Sequence, residues 1–312
     1  MNLWRYLPWL LLIVPAPALA QTTYPLTIEN CGTEIVVPAA PQRVVAIKSS
    51  AAELLLALGL ADRIAALAFL DGPPPQPWAP VSMPAILSDK LPAQEVVLEA
   101  QPDFIYGGWE SNFTGDGAGT RQSWAALGIP TYVAPAACRS IKPPALTFEH
   151  VFGEIREMGR IMDASVAAQA LIAQQEAQLA TVIPDRRGLT AVWYSSATRT
   201  PYVGAGSNAP AMIMEALGLT NIFADIDDGW ISASWEAIAD ADPDVVILVD
   251  AAWNSAEQKR RLLTENPTTG QMSAVRNEQY LVIPFPASEA GVRNVPAVVE
   301  LSRQLASLHV KE

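Results

Sequence analysis

The sequence predicts an α/β fold of two lobes, each on a parallel-type sheet, joined by a single long α-helix. Three observations lead there. Short apolar, strand-like runs alternate with helical segments in both halves of the 312-residue chain, the pattern of mainly parallel sheets. A spacing recurs: Glu95 stands seven residues before Pro102-Asp103, and Glu236 seven residues before Pro243-Asp244. Each pair is followed by an apolar run, Phe104-Ile105-Tyr106 and Val245-Val246-Ile247-Leu248-Val249. Between the halves lies a long Ala- and Gln-rich helical stretch. The expected division is a leader over 1–20, a first lobe over 21–163, a connecting helix over 164–183 and a second lobe over 184–312.

Taken in order, the first 20 residues read as a secretory signal. Arg5 supplies the positive start, Leu10 to Val14 the apolar stretch, and Ala18-Leu19-Ala20 a small-x-small cleavage site before Gln21. Pro8, Pro15 and Pro17 leave far fewer than the roughly 20 apolar residues that a membrane anchor needs. No Cys follows the cleavage site to accept lipid, so a free, soluble, periplasmic protein is expected. Leu26-Thr27-Ile28 and Ile35-Val36-Val37 flank Cys31-Gly32 and predict a hairpin. Arg43 to Ile47 is a buried strand that ends in Lys48-Ser49-Ser50, and a helix over 51–58 follows, stopped by Gly59. Ile64 to Ala68 is a second strand. The Pro-rich stretch from Asp71 to Pro84 is a loop. The first Glu-to-Pro-Asp unit supplies a helix, with Val96, Val97 and Ala100 at helical intervals, and then a strand. A Gly-rich segment over 107–119, a helix over 120–127 and a strand Thr131-Tyr132-Val133 complete the lobe.

Thr147 to Met162 is amphipathic, with Phe148, Val151, Phe152, Ile155 and Met158 on its buried face. Ser165 is placed to cap the connecting helix, which runs to about Val182 and implies limited hinge motion. From Leu189 a second alternating set begins. Ala57-Leu58-Gly59-Leu60 and Ala216-Leu217-Gly218-Leu219 both end helices, which strengthens the reading of duplicated architecture.

Composition narrows the partners. Half the residues are hydrophobic, enough for a core in each lobe. A net charge of −12 argues against nucleic acid and anionic membrane surfaces, although a few cations can still set a pocket's local field. Cys31 and Cys138 are the only cysteines, an even count for an exported chain. A bridge between them is the favoured reading, closing a loop of about 100 residues worth ~4–5 kcal/mol by chain entropy. Two buried thiols, or a reactive Cys near His150, are the alternatives.

These features resemble the substrate-binding proteins of ABC importers, in the class that carries iron-siderophores, cobalamin and haem. The strand Arg43 to Ile47, the helix ending Ala57-Leu58-Gly59-Leu60, the two Glu-to-Pro-Asp units and the central helix carry the likeness over essentially the whole mature chain. The resemblance implies an ABC permease and its ATPase as partners, with Glu95 and Glu236 docking one lobe each on the permease. It also implies a monomer with no enzymatic activity and no cofactor. A narrower likeness rests on segments such as Glu29-Asn30-Cys31-Gly32, Gly108-Trp109-Glu110-Ser111-Asn112 and Glu289-Ala290-Gly291-Val292-Arg293-Asn294. It points to a clade proposed to bind the precursor of coenzyme F-420, a deazaflavin with a phospholactate tail. Iron-siderophore, other metal-chelate, cobalamin or haem is the alternative ligand.

Ligands of such folds sit at the carboxyl ends of the strands. The loops expected there carry Lys48, Ser49, Lys90, Trp109, Glu110, Trp193, Tyr194, Tyr202, Trp230, Trp253, Phe285 and Arg293. Aromatic rings suit a planar solute, and a cation such as Arg293 or Lys48 suits a phosphate or carboxylate. Gly204 to Ala209 fits a dinucleotide pattern, but its context favours at most amides that receive an anionic group. His150 and His309 are the only histidines, too few for capture of a bare metal ion or for a base in a secreted hydrolase. Neither a G-x-S-x-G nor an H-E-x-x-H motif is present. A sensor or adhesion module on the same fold is the remaining class.

Overall fold

The computed structural model describes residues 21–76 and 78–309; the expected leader over 1–20 lies outside them. The chain opens with a hairpin, β1 (Leu26–Asn30) and β2 (Thr33–Val37), antiparallel with Asn30 opposite Thr33. Cys31 and Gly32 form its two-residue turn, both with positive φ (51° and 70°), as a primed hairpin turn requires. A disulfide joins Cys31 to Cys138. The Asn30 amide also pairs with both backbone groups of Val133, at 2.8 Å each, so the hairpin covers an edge of the first sheet.

That sheet follows, with β3 (Val44–Ile47), α1 (Ser49–Ala57), β4 (Ile64–Ala68), β5 (Ile86–Ser88), α2 (Gln94–Glu99), β6 (Phe104–Gly107), α3 (Arg121–Ala126) and β7 (Thr131–Val133). Its five strands are all parallel, in the order β5-β4-β3-β6-β7. The strand order reverses between β3 and β6, which opens a crevice at their carboxyl ends.

Two helices, α4 (Phe148–Ile161) and α5 (Ser165–Leu179), carry the chain across. Ala164, not Ser165, is the N-cap of α5, and no side chain caps it. Asp163 turns the chain there with φ 49°, and Ser165 is already helical.

The second lobe contains β8 (Thr190–Ser196), β9 (Tyr202–Gly204), α6 (Ala209–Leu217), β10 (Thr220–Asn221), β11 (Trp230–Ser232), α7 (Trp235–Ala241), β12 (Val245–Asp250), α8 (Ala256–Glu265), α9 (Ser273–Arg276), β13 (Tyr280–Pro284), α10 (Phe285–Ser288) and α11 (Asn294–Ser307). Its sheet runs β11-β9-β8-β12-β13, with β10 also on β8; β8, β10, β12 and β13 are parallel, β9 is antiparallel to β8, and β11 is antiparallel to β9. One continuous apolar core links residues of both lobes through Val151, Ile155 and Met158 of α4 and Leu171 and Ile172 of α5.

The repeated Pro-Asp pairs have a common structural role. Asp103 accepts the amides of Gln42 and Arg43 (2.8 and 2.9 Å), and Asp244 accepts the Thr190 amide and hydroxyl (both 2.8 Å). Each carboxylate thus ties the start of a strand, β6 or β12, to the start of its central neighbour, β3 or β8. Glu95 and Glu236 lie in the first turns of α2 and α7, both exposed and on different lobes.

Candidate functional site

A cavity of about 800 Å³ lies between the lobes and is lined from both. Ser50, after β3, and Gly108 with Trp109, after β6, come from the first lobe. Ser195 and Ser196 of β8, Trp253 after β12 and Phe285 after β13 come from the second. A strap over 134–146, which leads from β7 towards α4, forms another wall. The chain is tight at the floor: a Cβ on Gly108 would fall 2.4 Å from Ser50 Oγ and 2.7 Å from Lys48 Cβ, so only glycine fits there.

Five aromatic rings stand in the walls. Tyr202 and Trp230 stack at 5.8 Å between centroids and 13° between planes, a pairing set by β9 and β11 running side by side. Trp253, 62% exposed, meets Phe285 edge-on at 5.6 Å. The loop bearing Trp253 is held by Lys259, a fully buried residue of α8 that donates to the carbonyls of Val249 and Asn254. Burial pushes that ammonium down to about 8, against the attraction of Asp250.

Trp109, Tyr202, Trp230, Trp253 and Phe285 therefore line one cavity; the other expected residues are placed differently. Trp193 and Tyr194 are buried (0 and 1% exposed) in the central strand β8, where both sheet faces are covered. They build the core, not the cleft. Lys48 is 1% exposed and stands beneath the floor, paired with Asp71. Its ammonium sits 3.9 Å from the Trp109 ring centroid, 4.4 Å from Phe69 and 5.6 Å from Phe285, so it braces rings from both lobes. Its φ of 81° is a strained conformation for a non-glycine residue. Ser49 is buried and accepts the Asp71 amide at 2.8 Å. Arg293 turns away from the cleft to pair with Glu53 of α1 and to donate to the Pro73 carbonyl at 3.1 Å, linking the lobes. Lys90 is exposed, past the edge strand β5 and outside the cavity.

Glu110 does not line the cavity; it is half-buried and turned to the strap. Its carboxylate receives the Arg139 amide, the Ser140 hydroxyl and the Ser140 amide (2.8 Å), and so anchors the strap next to the disulfide. Burial acts to raise this carboxyl, but those hydrogen bonds outweigh it and hold it below its ordinary value.

The amides of Ala205, Gly206, Ser207 and Ala209 are occupied by protein. Ala205, Gly206 and Ser207 donate to the carbonyls of Gly229, Ile226 and Asp228, each at 3.0 Å, while Asn208 Oδ1 accepts the Ala209 amide. A Cβ on Gly206 would lie 2.2 Å from the Ala224 carbonyl oxygen, so this glycine serves close packing, not anion capture.

Sequence reasoning also passed over groups that the fold brings to the cavity: Glu289, Arg139, Lys142, Asp227 and Asp228. The strap crosses to the second lobe through Lys142 with Asp227 and through the Leu146 amide with the Ser207 carbonyl (2.9 Å). Its signal was the position of Cys138, Pro143 and Pro144 just beyond a strand's carboxyl end.

Fold and site together define a two-lobed binding protein with its cleft between the lobes. The periplasmic binding protein family matches residues 44–287, and the chain belongs to it: a transport component without enzymatic turnover. No curated protein matches the sequence. The fold is shared with a periplasmic binding protein from Veillonella parvula (23% identity, TM-score 0.80, covering 90% of this chain and 97% of that one). It is shared too with an ABC-type Fe3+-hydroxamate transport system protein from Saccharomonospora viridis (24%, 0.77, 91% and 100%). A periplasmic haem-binding protein of Vibrio cholerae is also similar (17%, 0.64, 85% and 98%).

Proposed function

We propose that this protein is the periplasmic solute-binding component of an ABC importer and captures a planar, aromatic or chelate-type solute in the cleft. The observation that carries this reading is the aromatic lining, above all the stacked Tyr202–Trp230 pair, in one cavity with Trp109, Trp253 and Phe285. Flat apolar faces with polar edges match planar heterocycles, and the cavity volume of about 800 Å³ falls in the range of small-molecule sites. Within this class a deazaflavin, the precursor of coenzyme F-420, is the favoured ligand, supported by the likeness of segments such as Gly108 to Asn112.

A metal chelate is the second reading, favoured by similar folds described as Fe3+-hydroxamate and haem binding proteins. No cluster of three His, Cys, Asp or Glu occurs among the described residues, so a chelate would bring its own ligands. Delivery proceeds through Glu95 and Glu236, one exposed carboxylate on each lobe, to basic residues of the permease. The deciding experiment is purification from the native periplasm followed by absorbance and mass analysis of the bound molecule. A deazaflavin or another planar chromophore supports the reading; a sugar, an amino acid or a bare ion overturns it.

A further inference from the structure

One carboxylate lines the cleft with an acceptor to spare. Glu289 follows α10 and lines the cavity from the second lobe. Its Oε2 accepts a hydrogen bond from Trp109 Nε1 of the first lobe at 2.9 Å. Its Oε1 has no partner among the described residues, yet it is not one of the sealed unpartnered atoms of the core, so it opens onto the cleft. The nearby ammonium of Lys48 is already paired with Asp71. Glu289 is therefore oriented by a neutral donor, half-buried, and left with one unused acceptor. A half-satisfied carboxylate at the floor of an aromatic cavity is a receptor for an N–H or O–H group.

We propose that Glu289 is the specificity-determining acceptor of the cleft, receiving the N–H or O–H on the edge of a planar ring held by the surrounding aromatic side chains. The assignment rests on the planar-solute reading above. Trp109 acts as a positioning residue: its indole fixes which oxygen faces the solute, and the buried Lys48 ammonium fixes the indole. A ring whose inward edge carries only acceptors, or a carboxylate, meets like charge and is refused.

The test uses lumichrome, a flat three-ring compound with N–H groups at N1 and N3, and its 1,3-dimethyl analogue, which has no N–H donor. Binding is followed by quenching of intrinsic Trp fluorescence and by calorimetry, with the wild type, Glu289→Ala and Glu289→Gln. The wild type is expected to prefer lumichrome by about tenfold to a hundredfold, the worth of a hydrogen bond to a charged acceptor. Both variants should lose the preference; in Glu289→Gln the carbonyl oxygen stays on Trp109 and a donor NH2 turns to the solute.

The preference should also decline on acidification in the wild type alone. The groups around Glu289 are the Trp109 indole, Lys48, Asp71 and Tyr202; burial raises the Glu289 carboxyl, Asp71 adds to that, and Trp109 and Lys48 oppose it. Protonation, which removes the acceptor charge, is therefore easier than for an ordinary exposed carboxylate. Equal binding of the two probes by the wild type, or a preference that survives in either variant, overturns the assignment alone. Failure of the wild type to bind either probe overturns the planar-solute reading and the assignment with it. Should Glu289→Ala not fold, the wild-type comparison and Glu289→Gln still decide.

Discussion

Glu154 sits on the inner face of α4, where it accepts a hydrogen bond from the Tyr106 hydroxyl, while Tyr132 donates to Glu157 at 2.6 Å close by. Burial pushes the Glu154 carboxyl up from 4.5 to about 7; the Tyr106 hydrogen bond opposes this and the charge of Glu157 adds to it. Between those two values the native state keeps a proton that the unfolded chain has released. Stability therefore falls as pH rises through that window, by on the order of 3 kcal/mol from this group. Urea unfolding at pH 5 and pH 8 should show the loss in the wild type, and Glu154→Gln should remove this contribution. Arg293 is a second residue with a calculable consequence. Glu53, its partner, is 3% exposed at its side chain, so Arg293→Met leaves a carboxylate buried without its cation. The expected loss is about 3–5 kcal/mol, read from chemical denaturation, and Glu53→Gln in the same background should restore part of it.

At the scale of the elements, the Glu-to-Pro-Asp spacing was legible as a repeat, but the work of its Asp was not. The helical interval and the apolar run are local patterns; the bond from Asp244 to Thr190 spans 54 positions and has no local trace. Removing it by Asp244→Ala frees the Thr190 amide at the start of β8, with an expected cost of about 1–3 kcal/mol by denaturant unfolding. Asp244→Asn, which keeps an acceptor, should lose less. The three-residue strands β5 and β11 were missed because each ends in a Ser and is too short to display alternation, whereas β7, as short, is Thr-Tyr-Val, all strand-favouring residues. Trp193 and Tyr194 were misplaced for a related reason. A strand covered on both faces reads as an unbroken apolar run, so its aromatics look like those of a loop beyond it. Lys48 and Arg293 illustrate a further gap: a cation beside a cleft is visible in sequence, but its buried counterion, Asp71 or Glu53, is fixed only by folding.

For the whole molecule, the two lobes and their helical connection were readable because periodicity and turn residues repeat at both ends of the chain. The strap over 134–146 was not, since it has little regular structure and its contacts to Asp227 and Ser207 join distant segments. Glu95 and Glu236 test the delivery reading at this scale. Both are exposed at helix starts, so reversing them to Lys should leave melting temperature and solute affinity nearly unchanged while uptake in whole cells is abolished. Loss of affinity in purified protein would instead place them in the binding cleft.

Among the described residues the chain crosses between the lobes once, through α4 and α5. Every strand of the first sheet, and both halves of the Cys31–Cys138 staple, precede residue 139, whereas the second sheet begins at Thr190. Among the described residues no strand is exchanged between the two sheets. A chain emerging from its amino end therefore has the whole first sheet in hand before the second is made. The leading half can nucleate and be locked covalently without waiting for the trailing half, which narrows the chances for mispairing across halves.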